Sequence, residues 1–160
     1  EYNPIATLRR YNTHNNTRTR VNKGLSAMKK EYRDMIECVG HGFWEWNPIT
    51  NVLYFSKQWQ GMLGYEHEGL IHSIEEWVSR IHPDDFSHCF NALATLLRGT
   101  TSVYRNEHRM LCKDGKYRWF LDQARVIERN AQGYPSKVVG TYTDIDELKS
   151  SLEYYKKSNP

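Results

Sequence analysis

Apolar positions along this chain change their period three times. Leu25, Met28, Tyr32, Met35 and Val39 recur at spacings of 3, 4, 3 and 4. That is the a/d stripe of an amphipathic helix, so a flanking helix is predicted over 25–39, ended by Gly40 and Gly42. From Phe43 the period becomes two. Trp44 and Trp46 share one face of a short strand, Asn47-Pro48-Ile49-Thr50-Asn51 makes a turn, and 52–55 forms a second strand, giving a hairpin. Ser56 can cap a short helix carrying Trp59, Met62 and Leu63, stopped by Gly64. Ser73 and Glu76 fit a capping box ahead of Ile74, Trp77, Val78 and Ile81. Pro83 begins another helix, with Asp84 and Asp85 in its first turn and a buried stripe of Phe86, Phe90, Leu93 and Leu97. Three long strands are predicted next, at about 102–112, 117–128 and 137–144, joined by turns at Asp114-Gly115 and Asn130-Ala131-Gln132-Gly133. Ile145, Leu148, Leu152 and Tyr155 then return to helical spacing. The fold class is α+β: a five-stranded antiparallel sheet with helices over one face and a flanking helix at each end.

The end stripes admit two readings. They are too short to define a coiled coil alone, and either helix could pack on its own sheet. The alternative is a dimer through Leu25, Met28, Tyr32 and Met35, with Leu148 and Leu152 adding to it.

Composition narrows the classes. The chain has 160 residues with five Trp, eleven Tyr and a formal charge of +3. One aromatic-rich domain with extensions fits that length. The charge is too small to argue for nucleic acid. Residues 1–24 are polar and basic and read as a loosely ordered linker, not as a nucleic-acid arm. Cys38, Cys89 and Cys112 form no paired motif and read as free thiols in a reducing compartment, hence a cytoplasmic location. No apolar run is long enough to cross a membrane. The chain starts at Glu1 without Met, which suggests a piece of a longer protein, and that parent could itself be membrane-anchored. Phosphate-binding, metalloprotease and nucleophile-elbow motifs are missing, so no catalytic residue and no metal site is expected here.

Several strings then resemble one family in order and spacing. Gly42-Phe43-Trp44-Glu45-Trp46-Asn47 is similar to the opening strand of PAS domains. Tyr54-Phe55-Ser56 and Trp59-Gln60-Gly61-Met62-Leu63-Gly64-Tyr65 resemble the second strand and first helix. Ile81-His82-Pro83-Asp84-Asp85, Glu107-His108-Arg109 and Lys113-Asp114-Gly115-Lys116-Tyr117-Arg118-Trp119 resemble later motifs, and Gly140-Thr141-Tyr142-Thr143-Asp144-Ile145-Asp146-Glu147 resembles the close of the C-terminal PAC motif. The resemblance covers about residues 40–147, leaving 146–160 as a connector helix. It implies a curved sheet with helices over its concave face, placed in series with further PAS or output domains such as sensor histidine kinases or diguanylate cyclases. It also implies flanking-helix dimers and, in some members, a bound ligand.

Candidate ligand-pocket residues are Trp44, Trp46, Tyr54, Trp59, Trp77, Phe90, His108 and Trp119. The same aromatics could instead fill the core, making the domain an interaction module only. Asp144 and Ile145 are the candidate signal relay, where the last strand becomes the exit helix. The residues argue against haem and flavin, and no cofactor is assigned. His88 lies about 200° around the helix from Phe86 at 3.6 residues per turn, away from the core, and no cysteine sits in a photoreceptor-type motif. Gly140 is expected to allow close approach of sheet and helix. Glu107 and Arg109 share a strand face and are expected to join a salt-bridge network with Arg118 or Arg125 of the neighbouring strand.

Overall fold

The computed structural model describes residues 30–65 and 73–159. The 1–24 linker and the predicted dimer residues Leu25 and Met28 lie outside these. Helix α1 (Lys30–Cys38) leads into strands β1 (Gly42–Asn47) and β2 (Val52–Phe55). Helices α2 (Lys57–Met62), α3 (Ile74–Arg80) and α4 (Pro83–Arg98) follow. Strands β3 (Tyr104–Leu111), β4 (Tyr117–Arg129) and β5 (Pro135–Asp144) then lead to helix α5 (Asp146–Ser158).

The sheet order is β2-β1-β5-β4-β3, and every neighbouring pair is antiparallel. The last strand therefore lies in the middle of the sheet, paired with both β1 and β4 immediately before it becomes α5. Alternation sends Trp44, Trp46, Leu53, Phe55, Phe120, Val138 and Tyr142 to one face, where all are buried beneath α2, α3 and α4.

Local chemistry fixes the helices over this face. Ser56 Oγ accepts from the backbone N–H of Trp59 and, across the chain, from that of Phe43. One hydroxyl thus caps α2 and ties it to β1. A Cβ at Gly42 would lie 2.7 Å from the Trp59 backbone, so glycine permits this approach. The rings of Phe55 and Trp59 stack at 3.7 Å. Ser73 caps α3 by accepting from the Glu76 N–H. His82 caps α4, its Nδ1 accepting from the Asp84 N–H.

Three sequence expectations are corrected. The buried stripe of α4 is turned by about one residue: Cys89, Phe90, Leu93, Ala94 and Leu96 are buried, while Phe86 and Leu97 are half-buried. Gly140 serves the sheet itself and not a helix. A Cβ there would lie 2.6 Å from the Gln123 carbonyl oxygen and would also strike the Trp44 ring. Arg109 and Glu107 pair with helices in place of Arg118 or Arg125. Arg109 forms a two-pronged bond with Asp85 of α4 at 2.7 and 2.9 Å, and Glu107 meets Lys149 of α5 at 2.6 Å. Arg118 turns to Asp114 in its own hairpin.

Candidate functional site

Among the described residues, the space between sheet and helices holds a cavity of about 20 Å³, bordered by Trp44, Leu53, Phe55, Trp77, Tyr104 and Asp122, among others. That is room for about one water molecule. Trp44, Trp46, Trp59, Trp77, Phe90 and His108 all lie buried in this layer. Tyr54 and Trp119 do not. Tyr54 stands opposite Glu45 on the outer face of the β1–β2 hairpin and packs on Phe43. Trp119 lies on the outer face near the start of α5. One-residue alternation decides this, because Trp119 precedes the inward-facing Phe120. His88 is exposed, on the side of α4 away from the sheet.

Around the cavity runs a chain of buried polar groups. Asn106, His108 and Asp122 are each no more than 2% exposed. They sit at alternate inward positions of β3 and on the paired strand β4. The Trp44 indole N–H donates to Asp122 Oδ1 at 2.9 Å. The Trp77 indole N–H donates to the Tyr142 hydroxyl at 2.6 Å. His108 Nε2 lies 2.9 Å from that hydroxyl and its Nδ1 lies 3.3 Å from Asn106 Oδ1. The Cys89 thiol of α4 donates to the same Asn106 oxygen. The Asn106 Nδ2 and the Tyr104 hydroxyl have no partner.

Burial sets the protonation of these groups. It pushes the Asp122 carboxyl up to about 8, against the pull of the Trp44 indole bond and the nearby Tyr142 hydroxyl. It holds His108 down to about 4, against the neighbouring charge of Asp85. It raises the Cys89 thiol to about 12 and the Tyr104 and Tyr142 phenols well above their ordinary value. Both Asp122 and His108 are therefore neutral near neutral pH. Sequence reading reaches His108 as a pocket residue but carries no signal for Asp122 or Asn106. Their types are ordinarily exposed, and only strand alternation running in register with Tyr142 and His108 could have flagged them.

The second region is the joint between β5 and α5. Asp144 is exposed, and its Oδ1 accepts from the Asp146 N–H at the first position of the helix. Ile145 is buried; its N–H donates to the Trp119 carbonyl and its own carbonyl accepts from Lys149 N–H. The Asp146 carboxylate accepts from the Trp119 N–H at 3.1 Å. The Trp119 ring lies within 5.1 Å of the Arg109 guanidinium and 4.7 Å of the Lys149 ammonium, a pair of cation–π contacts. Asp85 of α4, Arg109, Trp119 and Lys149 thus run in contact from the helical layer to the exit helix. Burial raises Asp85, but the bonds from Arg109 outweigh it and leave the carboxyl below its ordinary range.

Apolar residues of the flanking helices face outward. Tyr32, Met35 and Val39 of the α1 region are 54–63% exposed, and Leu148 and Leu152 of α5 are 57% and 48% exposed. Between α1 and the outer sheet face lies a groove of about 810 Å³, lined by Ile36, Phe43, Val103, Ile127 and Val139 among others. Among the described residues no group of three or more His, Cys, Asp or Glu is placed to hold a metal ion. No described helix is long and apolar enough to cross a membrane.

Comparison with known proteins adds three findings. A family model described as the PAS fold matches residues 52–142. The two-component sensor PprA of Pseudomonas aeruginosa is 31% identical over 94 residues, which cover 59% of this chain and 10% of that protein. The chain thus spans about a tenth of the length of this curated relative. Among solved structures, a sensory box histidine kinase/response regulator from Burkholderia thailandensis aligns with a TM-score of 0.70 at 28% identity, covering 81% of this chain and 95% of that one. The N-terminal domain of a diguanylate cyclase with PAS/PAC sensor from Marinobacter aquaeolei aligns with a TM-score of 0.59 at 26% identity, covering 68% and 98%.

Proposed function

This chain belongs to the PAS fold family, and from that membership we propose that it is a sensory and signal-transmission module of a larger signalling protein. Its relatives stand in a two-component sensor, a histidine kinase and a diguanylate cyclase, and the module itself catalyses nothing. Residues 40–147 are the sensing unit, 25–39 and 146–160 its connectors, and 1–24 a linker. Adjacent PAS or output domains of the same chain receive the message, in the cytoplasm, within a parent that could carry its own membrane anchor.

The observation that carries this reading is the joint at Trp119. β5 is a central strand and α5 continues from it. Trp119 holds the first turn of α5 by two backbone hydrogen bonds, with its side chain between Arg109 and Lys149. A change in the sheet therefore reaches the exit helix without crossing a flexible segment. Asp144 and Ile145 act there as relay residues, the first bonding the helix start and the second anchoring it in the core.

A homodimer through the flanking helices completes the proposal. It is supported by the outward-facing Tyr32, Met35, Leu148 and Leu152, which a monomer leaves in water. A second reading, a filled-core domain that only relays and dimerises, is favoured by the cavity of about 20 Å³. In this reading the aromatic side chains occupy the core, and the domain needs no ligand to relay.

Two measurements test the proposal. Replacing Trp77 by Phe removes the indole donor from Tyr142 and should change amide hydrogen exchange along α5, while Arg105→Ala on the sheet surface should not. An α5 indifferent to the core would sink the relay. Sedimentation of the full chain should show a dimer that Met35→Lys with Leu152→Lys converts to monomer. A wild-type monomer at high concentration would end the dimer reading.

A further inference from the structure

The entry and the exit of the domain meet at one edge of the sheet. β1 and β5 run antiparallel with Gly42 opposite Tyr142, so His41 and Thr143 stand side by side where that ladder ends. His41 comes three residues after Cys38, the end of α1, and Thr143 three before Asp146, the start of α5. Their side chains bond, with His41 Nδ1 lying 3.1 Å from Thr143 Oγ1. Both residues are half-buried. Alternation puts them on the outer face of the sheet with Phe43 and Thr141, opposite the face that buries Tyr142.

The chemistry of the pair makes the bond durable. A threonine hydroxyl holds one proton and two lone pairs. It donates to Nδ1 when that nitrogen is bare and accepts from it when it is protonated. Either neutral tautomer keeps the contact, and so does the imidazolium.

Ordered structure lies on both sides of His41. α1 closes in a Schellman motif: the Gly40 N–H donates to the Glu37 carbonyl at 3.0 Å and the His41 N–H to the Ile36 carbonyl at 3.4 Å. Gly40 makes that turn at a φ of 71°, which a side chain disfavours. The His41 backbone is thus part of the turn that sets the angle of α1. Immediately beyond, β1 is fixed to α2. The Phe43 N–H donates to Ser56 Oγ, the Phe43 carbonyl accepts from the Ser56 N–H, and Gly42 packs on the Trp59 backbone. A tilt of α1 is therefore resisted along β1 and passes sideways, through the imidazole, to β5. There Thr143 is the register partner of Leu121, two residues along β4 from Trp119, which holds the first turn of α5.

We propose that the His41–Thr143 bond couples α1 directly to α5, so that the module hands a movement of its entry connector to its exit connector across the outer edge of the sheet. Its meaning as signalling rests on the transmission role proposed for the module, and the coupling itself rests on this geometry. The path needs no ligand and no change among the buried aromatics. It adds a second input to α5: a domain that turns α1, alongside whatever alters the core.

Amide hydrogen exchange of the full chain tests the coupling as a double-mutant cycle. Gly40→Ala strains the entry turn, while the added methyl meets nothing within 4 Å, so the angle of α1 is disturbed and packing is not. It should speed exchange in the first turn of α5, where the Lys149 N–H bonds the Ile145 carbonyl, by about two- to tenfold, the range one hydrogen bond can transmit. Thr143→Val removes the hydroxyl at nearly constant shape. In that background Gly40→Ala should leave α5 unchanged, and Thr143→Ser, which keeps the hydroxyl, should preserve the response. Amides of the β3–β4 ladder are the reference for general loss of stability. An acceleration that they share equally overturns the proposal. So does an α5 that ignores Gly40→Ala, or that answers it equally with and without the hydroxyl. If α5 ignores Gly40→Ala yet answers Trp77→Phe, the coupling falls and the core relay stands; if it answers neither, both fall.

Discussion

At the scale of single residues, the molecule depends most on positions that look least chemical. Gly140 lies under the Trp44 ring and against the Gln123 carbonyl. Gly140→Ala forces a shift of strand backbone, and overpacking of this kind costs about 1–3 kcal/mol or more. Urea denaturation should show the midpoint falling. An unchanged midpoint would mean that the β1–β5 contact is looser than its geometry. Sequence reading reached this glycine but gave it the wrong neighbour, because a spacing cannot say which side chain crosses a strand. It reached His108 as a pocket residue and overlooked Asp122 and Asn106, since their value comes from register across strands distant in sequence. Trp119 was placed inward for its size, whereas alternation with Phe120 turns it out. His88 shows the reverse case: helical geometry alone placed it in solvent, where it stands.

At the scale of elements, side-chain caps do two tasks at once. Ser56 is 1% exposed and accepts from the Trp59 and Phe43 N–H groups at 3.2 and 3.0 Å. Ser56→Ala leaves both donors without that acceptor in a dry site, a loss of about 1–3 kcal/mol. The expected outcome is a lower denaturation midpoint with an unchanged dependence on denaturant concentration. A loss of only a few tenths of a kcal/mol would mean that water reaches the cap. Helix and strand positions were legible because caps, turn residues and periodicity are local signals. Ser73, Pro83, Asp114-Gly115 and Asn130–Gly133 each mark a boundary that the structure keeps. The angular setting of α4 was less legible. Its wheel is apolar over a broad arc, and the sheet selects Cys89 and Leu96 over Phe86 and Leu97. The pairing of β5 between β1 and β4 is likewise a property of the sheet and not of any strand.

At the scale of the whole molecule, the buried network sets how stability depends on pH. Asp122 rises from its ordinary 3.8 to about 8 in the fold. The folded state therefore keeps a proton that the unfolded chain has released. That contribution is fully present below 3.8 and is lost as pH rises through 8. His108 falls from 6.5 to about 4, so its contribution is present above 6.5 and is lost as pH falls through 4. The two slopes oppose each other between about 4 and 6.5, where stability should be nearly flat, and the Asp122 slope stands alone from 6.5 to 8. Thermal unfolding should show a decline over that upper range which Asp122→Asn removes. A wild-type curve flat to pH 9 would show that Asp122 is already ionised.

The setting of Trp119 has an optical corollary. Trp44, Trp46, Trp59 and Trp77 are between 1% and 6% exposed, so four of the five indoles emit from dry, rigid surroundings. Only Trp119 is reached by solvent, with Arg109 and Lys149 beside its ring. Excitation at the red edge, or quenching by acrylamide, therefore singles out one emitter in an unlabelled protein. Because that emitter holds the first turn of α5, its anisotropy and accessibility report the grip on the exit helix in real time. The molecule carries its own dye at the point where its message leaves.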